Sequence, residues 1–214
     1  MAWSDDPRFQ QLLEQAGQTE TLKVMEQVQE QLPDKPTYRN FQTGLKALLP
    51  HLETEVPEVL RGGLNIVEIG PGVGCFMVLA RAFGNTVRGE EAVPSGVVDA
   101  YRKITNYWGL HVNHTGFDKY LKGAPFPYPM ETVDVFHFRG SLDAVLQPFQ
   151  SNIGEAVAEM FKTLTEALKP KGFVWIGHNQ DRLLQRILEA VDAHHAPLQI
   201  TPGCNPYTTR LAKA

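Results

Sequence analysis

Cysteine is scarce in this chain. Cys75 and Cys204 are the only two in 214 residues, too few and too unpatterned for a disulfide framework, so a reducing, cytoplasmic setting is expected. No apolar stretch is long enough to span a bilayer, and no basic, apolar, small-residue leader opens the chain, so neither a membrane role nor export is expected. Positive charge is not in excess: 24 acidic residues face 20 basic ones, and no basic stripe invites nucleic acid. The imbalance sits at one end, because residues 1 to 62 hold ten acids and six bases while the remainder holds fourteen of each. Glutamine-rich stretches such as Gln10-Gln11 are too short to count as low complexity. At 43% apolar residues the chain can bury a real core.

The densest signal is Val67-Glu68-Ile69-Gly70-Pro71-Gly72-Val73-Gly74. Leu64 to Ile69 is short, apolar and β-branched, as a buried parallel strand should be, and Cys75 to Phe83 is apolar nearly all round before Gly84 stops it. The spacing predicts a strand, a tight turn and a helix. Glycines at 70, 72 and 74 let the backbone turn and approach a ligand where a β-carbon would collide, with the free amides of the helix facing the same spot. A dinucleotide fingerprint would need a third glycine where Cys75 stands, which disfavours a nicotinamide-dependent oxidoreductase. Cys75 itself reads as a small apolar filler rather than a nucleophile.

The run E-x-G-x-G-x-G resembles the first motif of class I S-adenosylmethionine-dependent methyltransferases. The resemblance extends over roughly residues 62 to 200. It implies S-adenosylmethionine as cofactor, held around Glu68, Gly70, Pro71, Gly72 and Gly74. In that family the second strand ends in an acid that holds the ribose hydroxyls; Glu91 is the better match and Glu90 the reserve. Phe117 and Asp118 follow the third expected strand, Leu110 to Thr115, where the family often places an acid against the adenine. Ala124-Pro125-Phe126-Pro127 followed by Val133-Asp134-Val135-Phe136 resembles the family's "PFP…FD" passage, with Tyr128-Pro129-Met130 in place of the usual short acidic turn. Lys169-Pro170-Lys171-Gly172 before Phe173 to Gly177 resembles its "L-K-P-G-G" turn and fifth strand, with Lys171 in place of one glycine.

Periodicity fills in the rest. Ser95 to Trp108 reads as a helix burying Tyr101, Ile104 and Trp108, and Ile153 to Leu168 as another, with Asn152 and Glu155 forming a capping box. A helix from about Asp181 to Ala193 and a closing antiparallel pair, Leu198 to Thr201 with Tyr207 to Leu211, complete the pattern. Strands alternating with helices argue a doubly wound, mostly parallel, Rossmann-like α/β sheet over residues 62–214. Residues 1–61 read as a helical extension with apolar stripes at Phe9, Leu12, Leu13 and Ala16; Leu22, Met25, Val28 and Leu32; and Tyr38, Phe41, Leu45 and Leu48. That extension is expected to cap the ligand cleft or to form a homodimer.

Methyl transfer from a sulfonium is a direct displacement, so alignment and water exclusion matter most, and a base is needed only for a protonated acceptor. His137 and His178, near expected strand ends, are candidate bases, and Arg139 is a candidate holder of an anionic substrate group. His111 and His114, three apart on an expected strand, point to opposite faces, so no metal site is expected. The functional expectation is methyl transfer to oxygen, nitrogen or carbon of a small metabolite. A binding module that keeps the fold but engages a protein partner through its helical head is the alternative.

Overall fold

A computed structural model describes residues 2–31, 41–92, 98–177, 189, 198–202 and 208–213. Its helices are α1 (Pro7–Ala16), α2 (Thr19–Gln31), α3 (Phe41–Glu55), α4 (Pro57–Arg61), α5 (Cys75–Ala82), α6 (Val98–Tyr107), α7 (Asp118–Leu121), α8 (Leu142–Leu146) and α9 (Ile153–Ala167). Its strands are β1 (Asn65–Ile69), β2 (Thr86–Glu90), β3 (Val112–Asn113), β4 (Val133–Arg139), β5 (Leu168–Gly177), β6 (Leu198–Pro202) and β7 (Thr208–Lys213). The described strands form a mostly parallel sheet in the order β3-β2-β1-β4-β5-β7-β6. β1 with β4 and β4 with β5 are parallel, whereas β7 runs antiparallel to both β5 and β6. The expected doubly wound α/β architecture is present, and the closing antiparallel pair with it. Apart from residue 189, the expected helix over 181–193 lies outside the described residues.

The chain gathers into two compact units: Met1–Leu64 with Pro71–Gly89 and Pro94–His114, and Asn65–Gly70 with Glu90–Val93 and Thr115–Ala214. In the first, Asp6 caps α1 by accepting from the Arg8 amide at 2.9 Å, with Pro7 at the first helical position, where its missing N–H costs nothing. Phe9, Leu12 and Ala16 of α1, Met25 and Val28 of α2, and Phe41, Leu45, Leu48 and Leu52 of α3 are buried. Phe41 stacks on Trp108 at 5.0 Å, and the Arg8 guanidinium lies 4.6 Å over the Phe83 ring. Most described positions of these apolar stripes are thus covered inside their own unit. One expected position is corrected: Leu22 is 40% exposed, and its neighbour Thr21 faces inward instead. Thr21 can do so because its hydroxyl donates to the Gln15 carbonyl and lies 2.8 Å from the Tyr107 hydroxyl. Buried Asn85 donates to the Val59 and Ala80 carbonyls and accepts from the Leu64 amide, tying three segments together.

In the second unit alternate residues of the parallel strands, Val67 and Ile69, Phe136 and Phe138, Val174 and Ile176, form one hydrophobic layer with α8 and α9. Two expectations fail, one in each unit. Asn152 makes no side-chain cap hydrogen bond to α9; its backbone (φ −141°, ψ 41°) departs from the extended N-cap conformation, and a 3₁₀ turn over 147–152 leads in instead. The third strand shrinks to two residues, since the Leu110 amide bonds the Thr105 carbonyl and closes α6 through Gly109 in left-handed conformation.

The fifth strand is longer than expected and begins at Leu168, so the Lys-Pro-Lys-Gly passage lies inside it. Lys171 there has φ +67°, the conformation glycine would occupy at lower cost. A β-carbon on the next residue, Gly172, would stand 2.9 Å from the Lys169 carbonyl oxygen. Replacing Lys171 with glycine is accordingly expected to stabilise the protein by about 0.5–1 kcal/mol in chemical denaturation, the relief of left-handed strain exceeding the added chain entropy. A destabilised Lys171→Gly variant would contradict that assignment of strain.

Candidate functional site

β1 ends on Ile69, and the turn that follows places Gly70, Gly72 and Gly74 at φ +72°, +54° and +80°. A β-carbon at Gly70 would stand 2.3 Å from the Ser141 β-carbon, and one at Gly74 would stand 2.6 Å from a Leu110 methyl. Both positions exclude larger residues on conformational and steric grounds. Ser141, which follows β4, donates its hydroxyl to the Ile69 carbonyl, and the Gly70 amide donates to the Glu90 carbonyl at 2.7 Å. The Gly74 amide closes the turn on the Pro71 carbonyl at 2.8 Å, and α5 begins at Cys75 with no side-chain cap. The Cys75 sulfur lies 3.0 Å from where a β-carbon on Gly44 would stand, consistent with a packed filler.

Among the described residues of the second unit, four carboxylates are buried: Glu68, Glu90, Glu91 and Asp118. A buried carboxylate is costly unless its oxygens are satisfied, so their partners decide what each can do. Glu68 stands opposite His137 in the β1–β4 register, and His137 opposite Trp175 in the β4–β5 register. His137 Nδ1 lies 3.3 Å from Glu68 Oε1, and the imidazole stacks on Trp175 with centroids 4.5 Å apart. Glu90 accepts from the Tyr128 hydroxyl at 2.8 Å and from the Tyr120 hydroxyl at 3.3 Å, one on each oxygen. Asp118 opens α7 and pairs with Lys122 at 2.5 Å. Glu91 is the first residue beyond β2; one of its oxygens accepts from the Ala92 amide at 3.3 Å. Its carbonyl receives the Phe117 amide at 2.6 Å, which fastens Phe117 and Asp118 to the end of β2.

The structure thus brings Glu68, Gly70, Glu91, Phe117 and Asp118 into one unit, with Pro71, Gly72 and Gly74 continuing the same loop into the other. Among the candidate bases, His137 is 1% exposed, because strand alternation puts it on the same face as Glu68 and Trp175. Arg139, two residues on, is exposed at the carboxyl end of β4, as expected. His178 lies outside the described residues. Sequence reasoning missed Ser141, Tyr120, Tyr128 and Trp175. Only Tyr128 carried a signal, as the residue that replaces a short acidic turn.

No family model matches the chain, and comparison with curated proteins gives no match. Solved structures do match. One is an S-adenosylmethionine-dependent methyltransferase from Archaeoglobus fulgidus, at 14% identity over 79% of this chain and 75% of that one, with a TM-score of 0.54. Another is a methyltransferase from Pyrococcus furiosus, at 16% identity over 78% and 81%, with a TM-score of 0.53. The chain has the class I methyltransferase fold. At such identities the likeness speaks for the fold alone.

Burial first, and then the charge of Arg139, push the His137 imidazole well below its usual range, so the folded protein keeps this ring neutral near pH 7. The unfolded chain takes up a proton there as pH falls through about 6.5, and the folded chain does not. Stability is therefore expected to decline on acidification below that point, by up to about 1.4 kcal/mol per pH unit from this residue. Denaturation midpoints measured between pH 7.5 and 5.5 should fall more steeply for the native protein than for His137→Asn. Parallel profiles would show that the imidazole is not held neutral.

Proposed function

We propose that this protein is an S-adenosylmethionine-dependent methyltransferase acting on a small-molecule acceptor. The observation that carries the reading is the end of β1, where three alternate glycines at positive φ follow the strand and lead into a helix; buried acids stand at the end of β2. Those residues suit the cofactor's chemistry. A carboxylate at Glu91 accepts two hydrogen bonds from a vicinal diol, and the neighbouring Phe117 and Asp118 offer an aromatic face and an acid to a purine. Glu68 and the loop from Gly70 to Gly74 would hold the amino-acid end. When bound, the cofactor supplies an electrophilic methyl group on a sulfonium, transferred by direct displacement.

The protein's own share is alignment and water exclusion. Arg139, exposed at the end of β4, would pair with an anionic group on the acceptor and set its approach. With His137 sequestered, proton removal from a protonated acceptor falls to His178 or to solvent.

Calorimetry of the intact chain should detect binding of both S-adenosylmethionine and S-adenosylhomocysteine. Glu91→Ala should weaken each by about tenfold or more, the loss of hydrogen bonds to a charged group. Absence of binding by either compound would overturn the reading, and tight binding without transfer of a labelled methyl group to any metabolite of a cell extract would favour the binding-module alternative.

A further inference from the structure

Glu90 sits where three segments of the second unit meet. Its carbonyl holds the Gly70 amide at 2.7 Å, one carboxylate oxygen holds Tyr128 at 2.8 Å, and the other holds Tyr120 at 3.3 Å. Tyr120 belongs to α7, whose first turn carries Phe117 and Asp118, and Tyr128 closes the loop that begins at Pro125. The two rings are not loose: Phe126 packs edge-on against both, with centroids 5.2 and 5.3 Å away, and Phe117 meets Tyr120 at 5.4 Å. At 3% exposure the carboxylate pays a large desolvation cost that packing alone does not require, since an apolar residue would fill the same space. Its two oxygens accept from tyrosines, whereas Glu91, one residue on, lies past the last residue of the strand.

We propose that Glu90 is a positioning residue for the donor site, acting through Tyr120 and Tyr128. By gripping both hydroxyls it holds α7 and the 125–128 loop in the arrangement that receives the adenosine half of the donor, while its carbonyl fixes the start of the glycine loop. The division of labour is then that Glu91 touches the sugar and Glu90 does not. This rests on the methyltransferase reading above and assigns a role within the same site.

Two ligands separate the possibilities: S-adenosylhomocysteine and its 2′,3′-dideoxy analogue, which has the same base and amino-acid end but no hydroxyls for an acid to grip. Calorimetry would compare the native protein with Glu90→Ala, Tyr128→Phe and Glu91→Ala, and with the Glu90→Ala/Tyr128→Phe double variant. Glu90→Ala should weaken both ligands by one common factor, about tenfold, Tyr128→Phe should weaken both by a smaller common factor, and the double variant should be no worse than Glu90→Ala, because the Tyr128 contact is one of the two that Glu90→Ala already removes. Glu91→Ala should weaken the hydroxylated ligand and leave the dideoxy analogue unchanged.

If the Glu90→Ala penalty disappears with the dideoxy analogue, Glu90 itself grips the sugar and the proposal fails. If both affinities stay unchanged while only the melting temperature drops, the tyrosine clamp is purely structural and the proposal fails again. Should Glu90→Ala not fold, Tyr128→Phe carries the comparison alone, since it removes one oxygen and keeps the ring against Phe126 and Phe136. A native protein that binds neither ligand overturns the methyltransferase reading itself, a result distinct from either failure of the clamp.

Discussion

The Gly70 amide on the Glu90 carbonyl, at 2.7 Å, is the contact on which the rest of the site depends. It joins the last turn of β1 to the end of β2, and it can form only because Gly70 adopts a positive φ and carries no side chain to strike Ser141. Ser141 completes the anchor from β4 by donating to the carbonyl just before it, at Ile69. Three strand ends are thereby tied by hydrogen bonds that involve main chain at every one of the first two. A site built this way is held before any ligand arrives, which is the condition for binding energy to be spent on alignment rather than on ordering the protein.

The buried acids follow from that anchor, and their partners distribute them over different tasks. Glu68 is matched by a neutral imidazole that is itself sandwiched against Trp175, Asp118 by the Lys122 ammonium, and Glu90 by two phenols. Each partner lowers the cost of keeping a carboxylate out of water, by a different kind of group.

Much of this was legible in the sequence because it is local. The β-branched run before Gly70, the alternate glycines and the apolar helix after Cys75 announce strand, turn and helix, and the structure has β1, a positive-φ turn and α5 there. The same holds for the late pair of strands, although periodicity could not say that β7 would insert between β5 and β6. What escaped depends on partners distant in sequence. Thr21 rather than Leu22 turns inward because Tyr107 is waiting for its hydroxyl, and His137 is buried because Glu68 and Trp175 flank it in register. Tyr120 and Tyr128 lie 30 and 38 residues from Glu90, and no pattern in one chain links them. Lys171 hid its meaning differently: it holds a left-handed position that composition assigns to glycine.

The central claim is that main chain at the end of β1 and the start of the following turn, together with the end of β2, receives the donor. Amide resonances of a ¹⁵N-labelled sample titrated with S-adenosylhomocysteine test it residue by residue. Gly70, Gly72, Gly74 and Glu91 should shift together along one saturating curve, with the amides of α9 and β6 unmoved. Saturable binding that leaves the three glycine amides and Glu91 in place would contradict it.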